Sequence, residues 1–231
     1  MKFKASLALL AVASFYSHAQ TSNTFQLENV FDLEYANQLE MTKNGETIFF
    51  VRNRMDIKTD RKVSNIWSVN PDGKTMLPLT SGVHMDYSPV LSPDETRLAF
   101  ISTRDGSSQI YVKWLKTGNV AKISNLTQSP GGLTWTPDGK NLVFSQFVPE
   151  KSAGPVSLPG KPEGAKWAEP AKYIDDVYYR ADGGGYTKAG YRHFFMISAT
   201  GGNARQLSFG NFDHGGSISF NETGDAFLFF S

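Results

Sequence analysis

Short apolar stretches alternate with polar turns along this chain, and the turns repeat their wording. The stretch from Tyr87 to Phe100 returns from Gly131 to Phe144 and again from Gly216 to Phe229. A looser copy runs from Gln38 to Phe50. In each copy an alternating stretch (Leu133-Thr134-Trp135) enters a tight turn (Pro137-Asp138-Gly139-Lys140), and a second apolar stretch (Leu142-Val143-Phe144) leaves it. Proline pre-sets the first turn torsion, aspartate bonds its own backbone, and glycine accepts positive φ, so the unit predicts a β-hairpin. The matching turns are Lys43-Asn44-Gly45, Pro93-Asp94-Glu95 and Glu222-Thr223-Gly224. Glu95 stands where glycine is expected, which implies local strain.

A second hairpin follows the first in each unit. Ile66–Val69 turns at Pro71-Asp72-Gly73 and returns to Thr80; Ile110–Val112 turns at Thr117-Gly118-Asn119 and returns to Thr127; Phe194–Ile197 turns at Gly201-Gly202-Asn203 and returns to Ser208. Leu79-Thr80, Leu126-Thr127 and Leu207-Ser208 read as matching endings. Two hairpins make four strands, one blade of a β-propeller. The expectation is an all-β chain: a partial β-propeller of WD-like or Tol-like repeats, with about three four-stranded blades and a started fourth. The turns and apolar triplets are what hairpins require, so they read as scaffold rather than site.

Residues 148–190 break the rhythm. The first part is rich in proline and glycine and reads as loop. The second, Tyr173 to Tyr186, is dense in aromatic and charged residues. Long ordered loops of this kind often carry function. One reading has Arg180, Asp182 and Tyr186 lining a route or facing a partner domain. The other has Tyr178, Tyr179 and Tyr186 covering a blade edge while Arg180 pairs with Asp182. The last residues, Ala226 to Ser231, fall inside the first hairpin of a blade and leave Phe227, Phe229 and Phe230 on an open edge. That arrangement reads as the N-terminal part of something longer.

Composition changes the picture at the start of the chain. Residues 1–19 combine Lys2 and Lys4, an apolar run too short to span a bilayer, and Ser17-His18-Ala19 before Gln20. They read as a signal peptide cleaved near Ala19–Gln20, and so as export to the periplasm or beyond. Removing Lys2 and Lys4 turns the formal net charge from +1 to −1. No basic footprint for nucleic acid remains, no later stretch is expected to span a membrane, and a chain without cysteine relies on its core rather than on disulfides. Residues 20–231 are then expected to form one incomplete propeller domain.

Candidate chemistry is sparse. There is no Gly-x-Ser-x-Gly nucleophile elbow, and His84, His193 and His214 stand at no zinc-helix spacing. Gly183-Gly184-Gly185 lacks the dinucleotide spacing, because position 188 is lysine. Arg104-Asp105 and Asp175-Asp176 read as turn and surface charges, and His214 as part of a loop between blades. No catalytic residue, cofactor or metal is expected.

The Ser92-Pro93-Asp94 repeat running on to Leu98-Ala99-Phe100, the Tyr179-Arg-Ala-Asp-Gly-Gly-Gly-Tyr186 insertion and His193-Phe194-Phe195 together resemble secreted bacterial peptidases of the prolyl oligopeptidase family, in its acylaminoacyl-peptidase and dipeptidyl-peptidase-like branch. The resemblance covers about residues 25–231. It implies an N-terminal propeller that admits short peptides to a C-terminal α/β-hydrolase domain carrying a Ser-Asp-His triad. No hydrolase residue is present in this chain, so no triad residue is assigned and the chain alone is expected to be inactive. Within that reading Arg180, Asp182 and Tyr186 are expected to line the route or the domain interface, with Arg180 holding a peptide carboxylate or carbonyl and Tyr186 giving an apolar wall. The Pro-Asp-Gly hairpins also fit a periplasmic Tol-like propeller acting as a protein-binding module.

Overall fold

The computed structural model describes residues 24–150, 160–168, 174 and 177–230. The signal-peptide reading of residues 1–19 lies outside them. A short 3-10 helix, Leu27–Asp32, leads into the first sheet. That sheet is β1 (Glu34–Met41), β2 (Ile48–Asp56), β3 (Arg61–Val69) and β4 (Met76–Pro78). The second is β5 (Asp86–Leu91), β6 (Arg97–Ser102), β7 (Gln109–Trp114) and β8 (Val120–Lys122). The third takes β9 (Pro130–Trp135) and β10 (Asn141–Pro149); a small ribbon, β11 (Arg180–Ala181) and β12 (Gly185–Tyr186), intervenes; β13 (Gly190–Ser198) and β14 (Arg205–Gln206) complete it. A fourth sheet holds β15 (Gly215–Phe220) and β16 (Phe227–Phe230). All pairings within these sheets are antiparallel, and each four-stranded sheet is a simple meander. The fold is the expected propeller array of three full blades and a started fourth; the array is not closed into a ring among the described residues. No helix among those residues is long and apolar enough to cross a membrane.

The core lies between blades rather than within them. On β6, Leu98 and Phe100 face the first sheet and join Phe49, Val51, Ile66 and Tyr111. Ala99 and Ile101 face the third sheet and join Ile110, Val112, Leu142, Phe144 and Ile197. Successive side chains of a strand point to opposite faces, so a strand covered on both sides must be apolar throughout. That is why the second apolar stretch of each repeat is continuous and the first alternates. Blade contacts are then stitched by polar groups: Trp135 Nε1 donates to Val90 O at 3.0 Å, and Arg97 lies over the Trp135 ring at 4.8 Å while donating to Gly139 O.

The turns follow the sequence. Gly45, Gly73, Gly118, Gly139 and Gly224 have φ between 66° and 75°, and Glu95 has φ 57°, so the expected strain at Glu95 is present. Its side chain has a use there: Oε1 accepts from the Lys43 backbone N–H of the preceding blade at 2.6 Å. In the same turn Asp94 accepts from Ser92 and Thr96, which holds its carboxyl down to about 2.

Two features differ from the reading of the sequence. The blade endings align on hydroxyls: Thr80, Ser124 and Ser208 accept the backbone N–H of Ile66, Ile110 and Phe194 at 2.9, 2.8 and 2.9 Å. The second ending is therefore Ile123-Ser124, not Leu126-Thr127; Leu126 is instead held by the Gln109 side chain at both its N–H and its C=O. Each first strand also carries a bulge, at Gln38, Ser88, Gly132 and Gly216, all with positive φ. Gln38 and Ser88, both at φ 52°, bear no glycine signal; Gln38 Oε1 accepts the Ser88 N–H at 2.7 Å and ties the two bulges together.

Candidate functional site

The antiparallel meander separates two kinds of loop. The repeated Pro-Asp-Gly-type turns all fall at one end of the blades, where strand one meets strand two and strand three meets strand four. The other end collects the crossovers between blades and the links from strand two to strand three. In the first two blades those links are short, Ile57–Asp60 and Thr103–Ser108. In the third the link is the insertion, which leaves β10 at Pro149 and re-enters β13 at Gly190, two residues paired with each other. It is an outgrowth of a single hairpin and leaves the sheet beneath it in register.

The base of the insertion is tightly built. Glu150 N–H donates to Ala189 O at 3.0 Å. Gly190 has φ 132°, and a Cβ there would collide with Val148 O and lie 2.8 Å from Pro149 Cα and 2.9 Å from Glu150 N. These are backbone atoms that cannot swing aside. Gly190→Ala is therefore expected to cost about 2 kcal/mol and to raise protease nicking between residues 150 and 190, measured by thermal melting and limited proteolysis. Gly45→Ala, where the added Cβ meets nothing within 4 Å, separates the clash from the φ effect.

Within the insertion the described residues form a two-rung ribbon. Arg180 pairs with Tyr186 and Ala181 with Gly185, around a turn closed by Gly184 N–H donating to Ala181 O. Thr187 donates through its N–H to Tyr179 O and through its hydroxyl to Tyr178 O. The Tyr179 and Tyr186 rings lie 6.4 Å apart, tilted. Val177, Tyr178, Tyr179, Arg180 and Asp182 line an open depression of about 550 Å³. Of the residues expected from sequence, Arg180 and Asp182 thus share one depression, and Tyr186 stands behind it against Tyr179. No Arg180–Asp182 ion pair exists among the described residues. Tyr178, Tyr179 and Tyr186 are exposed, so they do not seal a blade edge. Asp175 and Asp176 lie outside the described residues.

Sequence reasoning missed a second cluster at the same end. Asp86, at the start of β5, is fully buried; its Oδ1 accepts from Arg104 Nη2 at 3.2 Å and its Oδ2 lies 3.3 Å from His84 Nε2. The His84 contact is off hydrogen-bond geometry, so Arg104 is the principal partner. Arg104, read from sequence as a surface charge, also donates to Ser102 Oγ and lies over the Tyr111 ring at 4.7 Å. Burial and the Asp105 carboxylate push the Tyr111 hydroxyl up to about 12. An aspartate that begins a strand directly after a histidine-containing crossover gave no signal beyond its charge. No three His, Asp or Glu side chains converge on a metal position among the described residues.

No family model matches the chain. It is 27% identical to the peptidase YuxL of Bacillus subtilis over 188 residues, which is 81% of this chain and 27% of that protein. It is 25% identical to dipeptidyl-peptidase 5 of Porphyromonas gingivalis over 116 residues, half of this chain and 17% of the peptidase. The acylaminoacyl peptidase of Pyrococcus horikoshii superposes with TM-score 0.59 and 18% identity, covering 77% of this chain and 25% of the other, and shows the shared fold. The chain is a relative of the propeller portion of these peptidases. A shorter match, 43% identity over 54 residues, links it to a TolB homologue of Chlorobium luteolum, covering 23% of this chain and 12% of that protein. The chain spans between 17% and 27% of the length of these three peptidases.

Proposed function

We propose that this chain is the substrate-gating propeller of an exported serine-type peptidase that hydrolyses short peptides. The match to a peptidase over 81% of the chain is the observation that carries the reading. Catalysis belongs, in this account, to an α/β-hydrolase domain acting by acyl-enzyme chemistry, and none of the residues here takes part in bond cleavage. The propeller contributes exclusion and orientation. Its hydrophobic core lies between neighbouring blades, which supports the sheet from which the insertion grows. Arg180 offers five N–H donors in a planar fork to a peptide carboxylate or carbonyl, and the tilted Tyr179–Tyr186 pair offers an apolar wall.

In the intact polypeptide, Arg180→Ala is expected to raise KM for short peptides about tenfold to a hundredfold, the loss of one charge-assisted hydrogen-bonded contact, with kcat little changed. Arg180→Lys should recover part of the loss. Unaltered KM in Arg180→Ala would remove Arg180 from the route. The short TolB-type match supports a second reading, a protein-binding module in the cell envelope. Under that reading the intact polypeptide cleaves no peptide at all.

A further inference from the structure

His193 and His214 form a buried titratable pair that the gating role does not use. His193 lies on β13 of the third sheet, and His214 lies in the crossover just before β15 of the fourth. Their Nδ1 atoms are 3.1 Å apart and both side chains are buried. The His214 ring sits 4.5 Å from the Phe212 ring and 5.1 Å from that of Phe229, on β16. The backbone is fastened at the same point: His214 N–H donates to Arg192 O at 2.8 Å, and Arg192 N–H donates to Asp213 Oδ1 at 2.7 Å. At the matching strand positions of the first two blades stand Asn65 and Gln109, whose amides do not titrate.

An Nδ1-to-Nδ1 approach of this length holds one proton. One ring donates its Nδ1–H, and the other accepts with its own proton on Nε2. Two protonated rings would turn N–H against N–H, with two positive charges between phenyl groups and little water to screen them. We infer that the His193–His214 pair is an acid-sensitive latch between the third and fourth sheets, closed while the two rings share a proton and released when both are protonated.

The other charged groups at the joint are Asp213 in the crossover, Glu150 just after β10, and Arg192 beside His193. Burial, followed by the neighbouring imidazole, holds His193 below the ordinary imidazole range, while Asp213 and Glu150 pull weakly the other way. A histidine whose folded value is depressed contributes its full stability above the unfolded value, about 6.5, and loses it as pH falls below that. The latch therefore loosens on acidification, at the end of the blades that bears the insertion.

Hydrogen exchange of the intact polypeptide, corrected for intrinsic rates, tests this between about pH 7.5 and about pH 5. Residues 209–230 should show an opening equilibrium that rises by up to about tenfold per pH unit below about 6.5. Residues 97–101 and 110–114 of the second blade should not respond, and the double variant His193→Gln, His214→Phe should be flat throughout. A flat wild-type profile, or the same slope in the double variant, would overturn the latch. Should the double variant fail to fold, nitrogen–proton correlation spectra of the wild-type imidazoles decide the matter. One Nδ1–H and one Nε2–H tautomer at neutral pH is the expected result, and two Nε2–H tautomers contradict it.

Discussion

Phe144→Ala is expected to destabilise the molecule by about 4 kcal/mol, because it empties the apolar seam between two blades. Phe144 is fully buried on β10 and stacks on Phe195 of β13 at 5.9 Å between centroids. It packs among Ile101, Ile110, Leu142 and Ile197, so a cavity there separates the second blade from the third. Each interior blade of such an array holds its place through its two neighbours, so loss at one interface propagates to the elements beyond it. Phe144→Leu should cost less than half as much, because it retains most of the apolar volume. Chemical denaturation is the measurement: a midpoint shift in Phe144→Ala no larger than that of an exposed control such as Leu228→Ala would refute the account of the core.

The second large effect comes from the buried carboxylate. Arg104→Met is expected to cost about 3 kcal/mol, because it strands the fully buried Asp86 without its cation. Asp86→Asn should cost less. It removes the charge that needed a partner, keeps the shape, and leaves behind an Arg104 side chain that is already 26% exposed and can turn towards water. The order of the two losses is the test. If Asp86→Asn were the more damaging substitution, the carboxylate would be answering some group other than Arg104. The double variant should lose less than the sum of the two single losses, since the second change no longer strands anything.

The sequence announced the blades because a propeller repeats one hydrogen-bonding problem. Every strand-one turn needs a residue at positive φ, and Gly45, Gly139 and Gly224 supply it in recognisable company. Glu95 broke that wording without breaking the turn, since its carboxylate reaches the neighbouring blade. The bulges at Gln38 and Ser88 were not legible, because neither residue type marks positive φ and the stabilising contact is fifty residues away in sequence. The third-blade insertion was visible as lost rhythm, yet the pairing of Pro149 with Gly190 that closes it is a tertiary fact. Arg180, Asp182 and Tyr186 stood out by composition and do lie on one ribbon. The Asp86–Arg104 tie and the His193–His214 pair did not stand out, because their members are distant in sequence: the first forms only when β5 pairs with β6, the second only when the fourth sheet packs on the third.

As the proposed gate of a serine peptidase, this propeller would admit short peptides and exclude folded proteins. The most direct measurement takes the polypeptide as its own cell makes it, labels it with a fluorophosphonate probe, and compares hydrolysis of short peptides with that of a folded protein. Covalent labelling outside residues 20–231, cleavage of the short peptides and sparing of the folded protein are expected. A polypeptide that neither takes the label nor cleaves any peptide would contradict it and leave a binding propeller in its place.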